Sequence, residues 1–407
     1  MAETARDVGY ASRYGLSPHE ETWRAKAEAF ARKELAPIAR EIDRTGRFPE
    51  GLVRRLGAEG FLGAPLLHRF GGGGEGALVT ALISEEIGRV DGSVRGFLAV
   101  TTGLVGQTLC DFGSAEQMER WVPTLCSGEA VGCFALTEPG AGSDVSGIAT
   151  RVREDGDEVV LDGEKHWITN AGMADVALVF ASADPAAGRG GLECWLVPTT
   201  TKGFSTEPME GKELGHRGSD HARVTLKGVR VRKENRLGPA RSGFLVAMKG
   251  LDHGRLGVAA GAVGIQAACL DASVEFARAR RQFGSRIGDF QQVGAMLADM
   301  RASLEASRLM VHHAARCLDR GLPVTAETSA AKLFATEAAL RAATNAVRIH
   351  GARGYSDALP LERHYRDAIG LTIYEGTSEI QRVILARDLL GRDPEGRVVG
   401  PAAPAGR

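Results

Sequence analysis

The hydrophobic and polar positions of this chain fall into three successive textures. From about residue 17 to residue 130, apolar residues recur at helical spacing. "SPHEETWRAKAEAFARKELAPIAREID" opens with Ser17, then Pro18, then Glu20. A serine cap, a proline at the first helical position and a glutamate at the third predict a helix start with a capping box. Trp23, Ala27, Phe30, Ala31 and Leu35 continue as its apolar stripe. "FGGGGEG" at 70–76 predicts a loop, and helix resumes through "LVTALISEEIGRV" and the apolar stretch 97–110.

Around residue 132 the period shortens. "VVLDGEKHWIT" (159–169) sets β-branched and aromatic residues around Asp162-Gly163, which predicts a hairpin turn. "VALVFAS" (176–182), "LECWLVP" (192–198) and "ARVTLKGVRV" (222–231) predict further strands. After about residue 241 helical spacing returns. Ala262, Ile265, Cys269, Ala272 and Phe276 form one stripe, and Leu297, Met300, Leu304 and Val311 another. Helices this long can build a bundle. "LDHGRLGVAAGAVG" (251–264) reads as the opening of a helix, and "PEGRVVGPAAPAGR" as a disordered tail. The expected fold class is α+β multidomain: a helical domain over 1–131, a β domain over 132–240, a helical bundle over 241–395 and a tail over 396–407.

A length of 407 residues agrees with two or three domains. The net charge of -1 gives no overall pull toward nucleic acid or an anionic membrane. Six scattered cysteines show no zinc-binding spacing, so no metal site is expected, and buried free thiols fit a reducing compartment. "MAETARDVGY" lacks the basic and apolar regions of a signal peptide. No apolar stretch approaches the roughly 20 residues that span a bilayer. The expectation is a cytoplasmic protein without a membrane span.

Several stretches carry candidate chemistry. In "LTEPGAGSD" (136–144) glycines open the backbone to an anion, and Thr137 and Ser143 add hydroxyls. A tight turn would need the same residues. "KHWITNAG" (165–172) places Trp167 beside Thr169, an aromatic face next to a hydrogen-bonding group, although strand tryptophans ordinarily fill a core. Asp252 and Arg255, and Arg280 and Gln282 in "RRQFG", would ordinarily lie on solvated helix faces. "LTIYEGTSEIQR" (371–382) holds Glu375 and Glu379 on either side of a Gly-Thr-Ser turn. Ser378 and Gln381 suggest a capping box there, with Ile380, Val383, Ile384 and Leu389 as the apolar face. Glu379 then sits in a first turn, where a negative charge suits the helix dipole.

Taken in order, "LTEPGAGSD", "KHWITN", "ELGHRGSD", "ARRQFG", "HGARGY" and "YEGTSEIQR" resemble the acyl-CoA dehydrogenase family over roughly residues 18–391. The resemblance implies an N-terminal α-helical domain, a middle β-barrel-like domain and a C-terminal four-helix bundle. It implies a homotetramer, a dimer of dimers, with FAD at the subunit interface. Phe134, Leu136, Thr137 and Gly142 would line the flavin or its loop, with Ser143 at the FAD phosphates and near the substrate. Trp167 and Thr169 would border the ring's other side. Arg280, Gln282, Phe283, Arg348, Gly351 and Ala352 would act from a partner subunit. Thr377 and Glu379 would close over the adenosine half. Leu251, Asp252, Arg255, Tyr374 and Gly376 would meet the acyl-CoA.

The same resemblance makes Glu375 the base that takes the α-proton of an acyl thioester. A buried carboxylate has a raised pKa and is a better base near neutrality. The base residue's own backbone N–H and a ribityl hydroxyl would stabilise the thioester oxygen. Flavin N5 would take the β-hydride, giving a trans-2-enoyl thioester, and an electron-transferring flavoprotein would reoxidise the cofactor. Some members carry the base where this chain has Gly254, and those lack the acid at the position of Glu375. The chain departs from the family at Phe134, Arg348, Ala352 and Arg353 and in "LLHRFGGGG". Arg95 is a further departure. A helix arginine ordinarily faces solvent. Pointing inward, it could pair with a carboxylate or polarise a hydroxylated acyl group, which would suit a carrier-protein-bound substrate of secondary metabolism. A non-catalytic binding protein on the same fold is the alternative of a different class.

Overall fold

Ser17 caps the first long helix as its sequence dictates. Its hydroxyl accepts from the Glu20 N–H at 3.2 Å, and the Glu20 carboxylate accepts from the Ser17 N–H at 2.6 Å. In the computed structural model, which describes residues 10–49 and 51–391, this helix runs Pro18–Phe30 and continues through a π-helical turn at Ala31–Leu35. The expected tail at 396–407 lies outside the described residues.

Two N-terminal helices set up the site. Ala77–Gly88 is buried along almost its whole length. A Cβ on its Gly88 would lie 3.0 Å from the Cα of Gly261, so it meets the C-terminal bundle backbone to backbone. Gly92–Leu98 follows, capped by Asp91, whose carboxylate accepts from the Val94 N–H at 2.9 Å. It widens into a π-helical stretch at Ala99–Gln107, a geometry that often marks functional sites.

The middle of the chain is an eight-stranded sheet. Its order is Phe204–Pro208, His221–Arg232, Glu158–Thr169, Arg151–Asp155, Val176–Ser182, Leu192–Pro198 and Arg236–Leu237, with Gly132–Ala135 pairing Val176–Ser182 in parallel. Asp162-Gly163 is not the expected hairpin turn, because the strand continues through it against His221–Arg232 with a register shift. The Asp162 carboxylate accepts from the Gly228 N–H at 2.7 Å. A Cβ at Gly163 would lie 2.4 Å from the Thr150 hydroxyl, so close approach explains this glycine. The turn falls instead at Gly156-Asp157, between strands Arg151–Asp155 and Glu158–Thr169.

The bundle is built around Gly243–Ala279, which starts well before the helix opening expected at Leu251. Contrary to the hydropathy reading, this helix is long and apolar enough to cross a bilayer, but it is mostly buried in the protein. Gln291–Asp319, Thr325–His350, Leu361–Leu371 and Ser378–Leu390 complete the bundle. The shared core is rich in alanine, including Ala259, Ala262, Ala335, Ala339 and Ala343. Small side chains at these positions let the helix axes approach closely.

Candidate active site

Glu375 and Gly376 occupy the turn after helix Leu361–Leu371, and both take left-handed backbone angles, φ 54° and 89°. A Cβ at 376 would lie 2.6 Å from the Gln381 side-chain nitrogen, so glycine is required there. For Glu375 the conformation costs about 1–2 kcal/mol. It sends the carboxylate toward helix Gly243–Ala279, where Oε2 is shielded from solvent and has no hydrogen-bond partner among the described residues. A Cβ at Gly254 would lie 1.9 Å from that oxygen. Burial pushes the Glu375 carboxyl above its ordinary pKa, against the lowering effect of Arg95, Lys332 and Arg255. The Glu375 backbone N–H has no acceptor within the described residues.

Three cations from three elements face this carboxylate. Arg95 is only 2% exposed, which overturns the surface reading. Its stem passes Gly261, where a Cβ would lie 2.8 Å from the arginine Cδ. One terminal nitrogen, Nη2, donates to the Tyr374 hydroxyl, and the other, Nη1, is buried without a partner. Tyr374 in turn meets His216 Nε2 at 3.2 Å, and the His216 backbone N–H donates to Asp367 at 2.6 Å. Burial holds His216 below its ordinary pKa, so this ring is neutral near pH 7. Lys332 donates to the carbonyls of Leu371 at 3.1 Å and Gly376 at 2.7 Å. Arg255 is paired with Asp252 at 2.6 Å, and Asp252 also accepts from Thr325 at 2.9 Å. These two residues, expected to meet the acyl-CoA, are buried and engaged with each other.

The β domain presents a second surface. Phe134 and Leu136 are buried, and Thr137 and Thr169 are partly buried. Trp167 does not fill a core. It lies in the register shift between Lys165 and Ile168, takes φ 58° and is 53% exposed. Beneath it Lys165 is fully buried and donates to Glu138 at 2.7 Å and to the Leu136 carbonyl at 3.1 Å. Gly142 and Ser143 are exposed on the loop above.

The remaining candidates lie on the outer surface of this single chain. Arg280, Gln282, Arg348, Gly351, Ala352 and Glu379 are exposed, and Phe283 is 95% exposed. None makes a hydrogen bond or ion pair with Glu375. The helix after the turn is capped by Thr377, not by Ser378, and the Thr377 hydroxyl accepts from the Ile380 N–H at 3.2 Å. Ser378 and Gln381 are its buried residues, while Val383 and Leu389 are exposed, so the expected capping box and apolar face are both displaced. Glu379 is the electrostatic opposite of Glu375: its own backbone N–H and the Thr377 hydroxyl lower its pKa. A cleft of about 1330 Å³ between the N-terminal helices and the bundle, walled by Arg24, Arg89, Arg301 and Arg308, does not include Glu375.

Three family models match consecutive parts of the chain: the acyl-CoA dehydrogenase N-terminal domain over residues 17–129, the middle domain over 133–229 and the C-terminal domain over 241–390. The chain belongs to the acyl-CoA dehydrogenase family. It is similar to the mitochondrial short-chain specific acyl-CoA dehydrogenase of Mus musculus, 42% identical over 361 residues, covering 89% of this chain and 87% of that one. The butyryl-CoA dehydrogenase of Megasphaera elsdenii matches with a TM-score of 0.90 and 37% identity, over 92% of this chain and 99% of that one. A glutaryl-coenzyme A dehydrogenase in complex with glutaryl-CoA matches with a TM-score of 0.90 and 36% identity, over 94% and 98%. The protein is accordingly an acyl-CoA dehydrogenase, an oxidoreductase of a family that uses FAD.

This dehydrogenase also places residues at the site that the motifs did not single out. His216 supports Tyr374, and Lys332 and Gln381 both donate to the Gly376 carbonyl. A lone lysine among small and apolar residues in "SAAKLFA" (329–335) was the available signal for Lys332. Gln381 was read as a cap and is instead a brace for the turn.

Proposed function

We propose that Glu375 removes the α-proton of a short acyl-CoA held against FAD, and that the acyl group ends in an anionic or polar function facing Arg95. The observation that carries the first part is the unpartnered Glu375 Oε2 in the gap left by Gly254. A carboxylate with one oxygen shielded from solvent and a raised pKa is poised as a base rather than tied into an ion pair. Taking the proton neutralises Glu375, and its free backbone N–H is available to the thioester oxygen as charge develops there.

The residues present fit FAD. Trp167, half exposed at a left-handed backbone position, offers a flat apolar face, Phe134 and Leu136 a floor, and Thr137 and Thr169 hydroxyls for a polar ring edge. When bound, FAD supplies the acceptor for the β-hydride. Ser143 and Gly142 would serve its phosphates. The exposed Arg280, Gln282, Phe283, Arg348, Gly351 and Ala352 would serve a neighbouring subunit's cofactor in a homotetramer, and exposed Phe283 and Leu389 support burial of these faces by partners. An electron-transferring flavoprotein is the proposed acceptor of the electrons. The cysteines are free, five of them buried, which supports a reducing, cytoplasmic setting.

Arg95 favours the polar acyl end. A buried guanidinium nitrogen without a partner is costly, and an incoming carboxylate or hydroxyl relieves that cost. The glutaryl-CoA complex of a relative shows a dicarboxylic acyl thioester on this fold. The similarity to short-chain specific and butyryl-CoA dehydrogenases supports a short acyl group. The test is anaerobic flavin bleaching with butyryl-, octanoyl-, glutaryl- and 3-hydroxyacyl-CoA, and with the same acyl groups on a carrier protein. Fastest bleaching by a short polar-ended CoA ester is expected. Preference for butyryl- or octanoyl-CoA would overturn the acyl assignment, and turnover of carrier-linked esters alone would move the substrate to that class.

A further inference from the structure

The turn that holds Glu375 is braced from below by a lysine that has no carboxylate partner among the described residues. Lys332 lies on helix Thr325–His350 and is fully buried. Its ammonium donates to two main-chain carbonyls, of Leu371 at the end of one helix and of Gly376 inside the turn. Gln381 donates to the same Gly376 carbonyl at 2.9 Å. Two consecutive left-handed residues are therefore locked by two buried donors, one charged and one neutral. A neutral donor could complete these hydrogen bonds, so the use of a buried charge calls for a reason.

We propose that Lys332 is a positioning residue for the reaction, aiming the Glu375 carboxylate through the Gly376 carbonyl and setting with its charge the pH at which that carboxylate ionises. The proposal rests on the reading of Glu375 as the base. The charged and titratable groups facing Glu375 are Arg95 from helix Gly92–Leu98, Arg255 from helix Gly243–Ala279, Lys332, and Tyr374 on its own segment. Arg255 is neutralised in part by Asp252, whereas Arg95, which of the three cations acts most strongly on Glu375 and is engaged only by the neutral Tyr374, and Lys332 both lack an ion-pair partner among the described residues; of these two, only Lys332 also holds the turn itself. Burial lowers the lysine itself to a pKa of about 8, with Glu375 pulling it back up, so the two groups are reciprocally linked.

A cation favours the ionised carboxylate, so removing it raises the pKa of Glu375. In the tetrameric holoenzyme, Lys332→Gln is expected to move the acid limb of the flavin-reduction rate upward by about one pH unit, a tenfold change in proton affinity. Gln381→Leu removes the neutral brace and is expected to slow the reaction without moving that limb. An acid limb that stays in place in Lys332→Gln, whatever the loss of rate, overturns the proposal. Should that variant fail to fold, Lys332→Arg carries the test: it keeps the charge, so the limb stays while the bulkier fork slows the reaction. An unchanged rate or a displaced limb there overturns the proposal. Infrared titration of the Glu375 carboxyl band, identified by subtracting Glu375→Gln, reads the same shift without turnover. Wild-type flavin reduction by Glu375→Gln would instead overturn the base assignment itself.

Discussion

The Glu375 carboxylate occupies the space that a side chain at residue 254 would fill, with Oε2 at 1.9 Å from the position of a Cβ there. The two positions at which the family resemblance implies a base thus converge on one volume, which here holds a carboxylate from the turn and none from the helix. Gly254→Ala should leave the helix slightly better formed, by about 1 kcal/mol. It should nevertheless cut flavin reduction by about 10²-fold or more, because a displacement of about 1 Å costs that much at a reacting centre. Stopped-flow reduction at saturating acyl-CoA checks this. A rate within a few-fold of wild type would mean that the carboxylate does not need this gap.

Burial of Glu375 sets a pH dependence with a definite sign. Its folded-state pKa is raised, chiefly by burial. Its contribution to stability is present in full below the unfolded carboxylate pKa and is lost as pH rises through the raised folded value. Glu375→Gln should therefore melt at a higher temperature than wild type at pH 8 and at about the same temperature near pH 4, measured by calorimetry. For wild type, the flavin-reduction rate should rise with pH through the same window, since only the ionised form is a base.

Arg95 is the residue that separates a polar from an apolar acyl end. Arg95→Leu should lower kcat/KM for a dicarboxylic acyl-CoA by about 10²-fold, as expected when one member of a buried charge pair is removed. The effect on butyryl-CoA should be about tenfold or less. Equal losses on both substrates would assign Arg95 to the Tyr374–His216 network alone.

The fully buried Lys165 and the buried Glu138 make a prediction for the β domain. Glu138 also accepts from the backbone N–H groups of Ala149 and Thr150, so the pair ties the glycine-rich loop to the Trp167 strand. Lys165→Met leaves a buried carboxylate uncompensated and should cost about 3–5 kcal/mol. Adding Glu138→Gln should recover most of that loss. Denaturant unfolding of both variants decides it.

Much of this was legible in the chain. The capping box at Ser17 and Glu20 formed because its chemistry is local, and the helical stripes and the strands at 176–182, 192–198 and 222–231 follow their spacing. Asp162-Gly163 misled because the same dipeptide serves a turn or a strand that must pass close to Thr150, and only the tertiary neighbour decides. Thr377 and Ser378 are both able to cap, and the burial of Ser378 chose between them. Glu375 was found through its motif, and Arg95 and Arg255 were singled out as candidates, but Lys332 was not, nor was the convergence of all three on Glu375. Arg95, Arg255 and Lys332 lie far apart in sequence, and a buried cation leaves no periodic signature. What brings them together is the close approach of helices at Gly88, Gly261 and the alanine-rich core.

The central claim is that Glu375 is the base, and rapid mixing of Glu375→Gln holoenzyme with acyl-CoA under anaerobic conditions tests it most directly. The account predicts that the variant still binds FAD and still shows the spectral shift of substrate binding, while flavin reduction falls by about 10³-fold or more. Bleaching at the wild-type rate would contradict it.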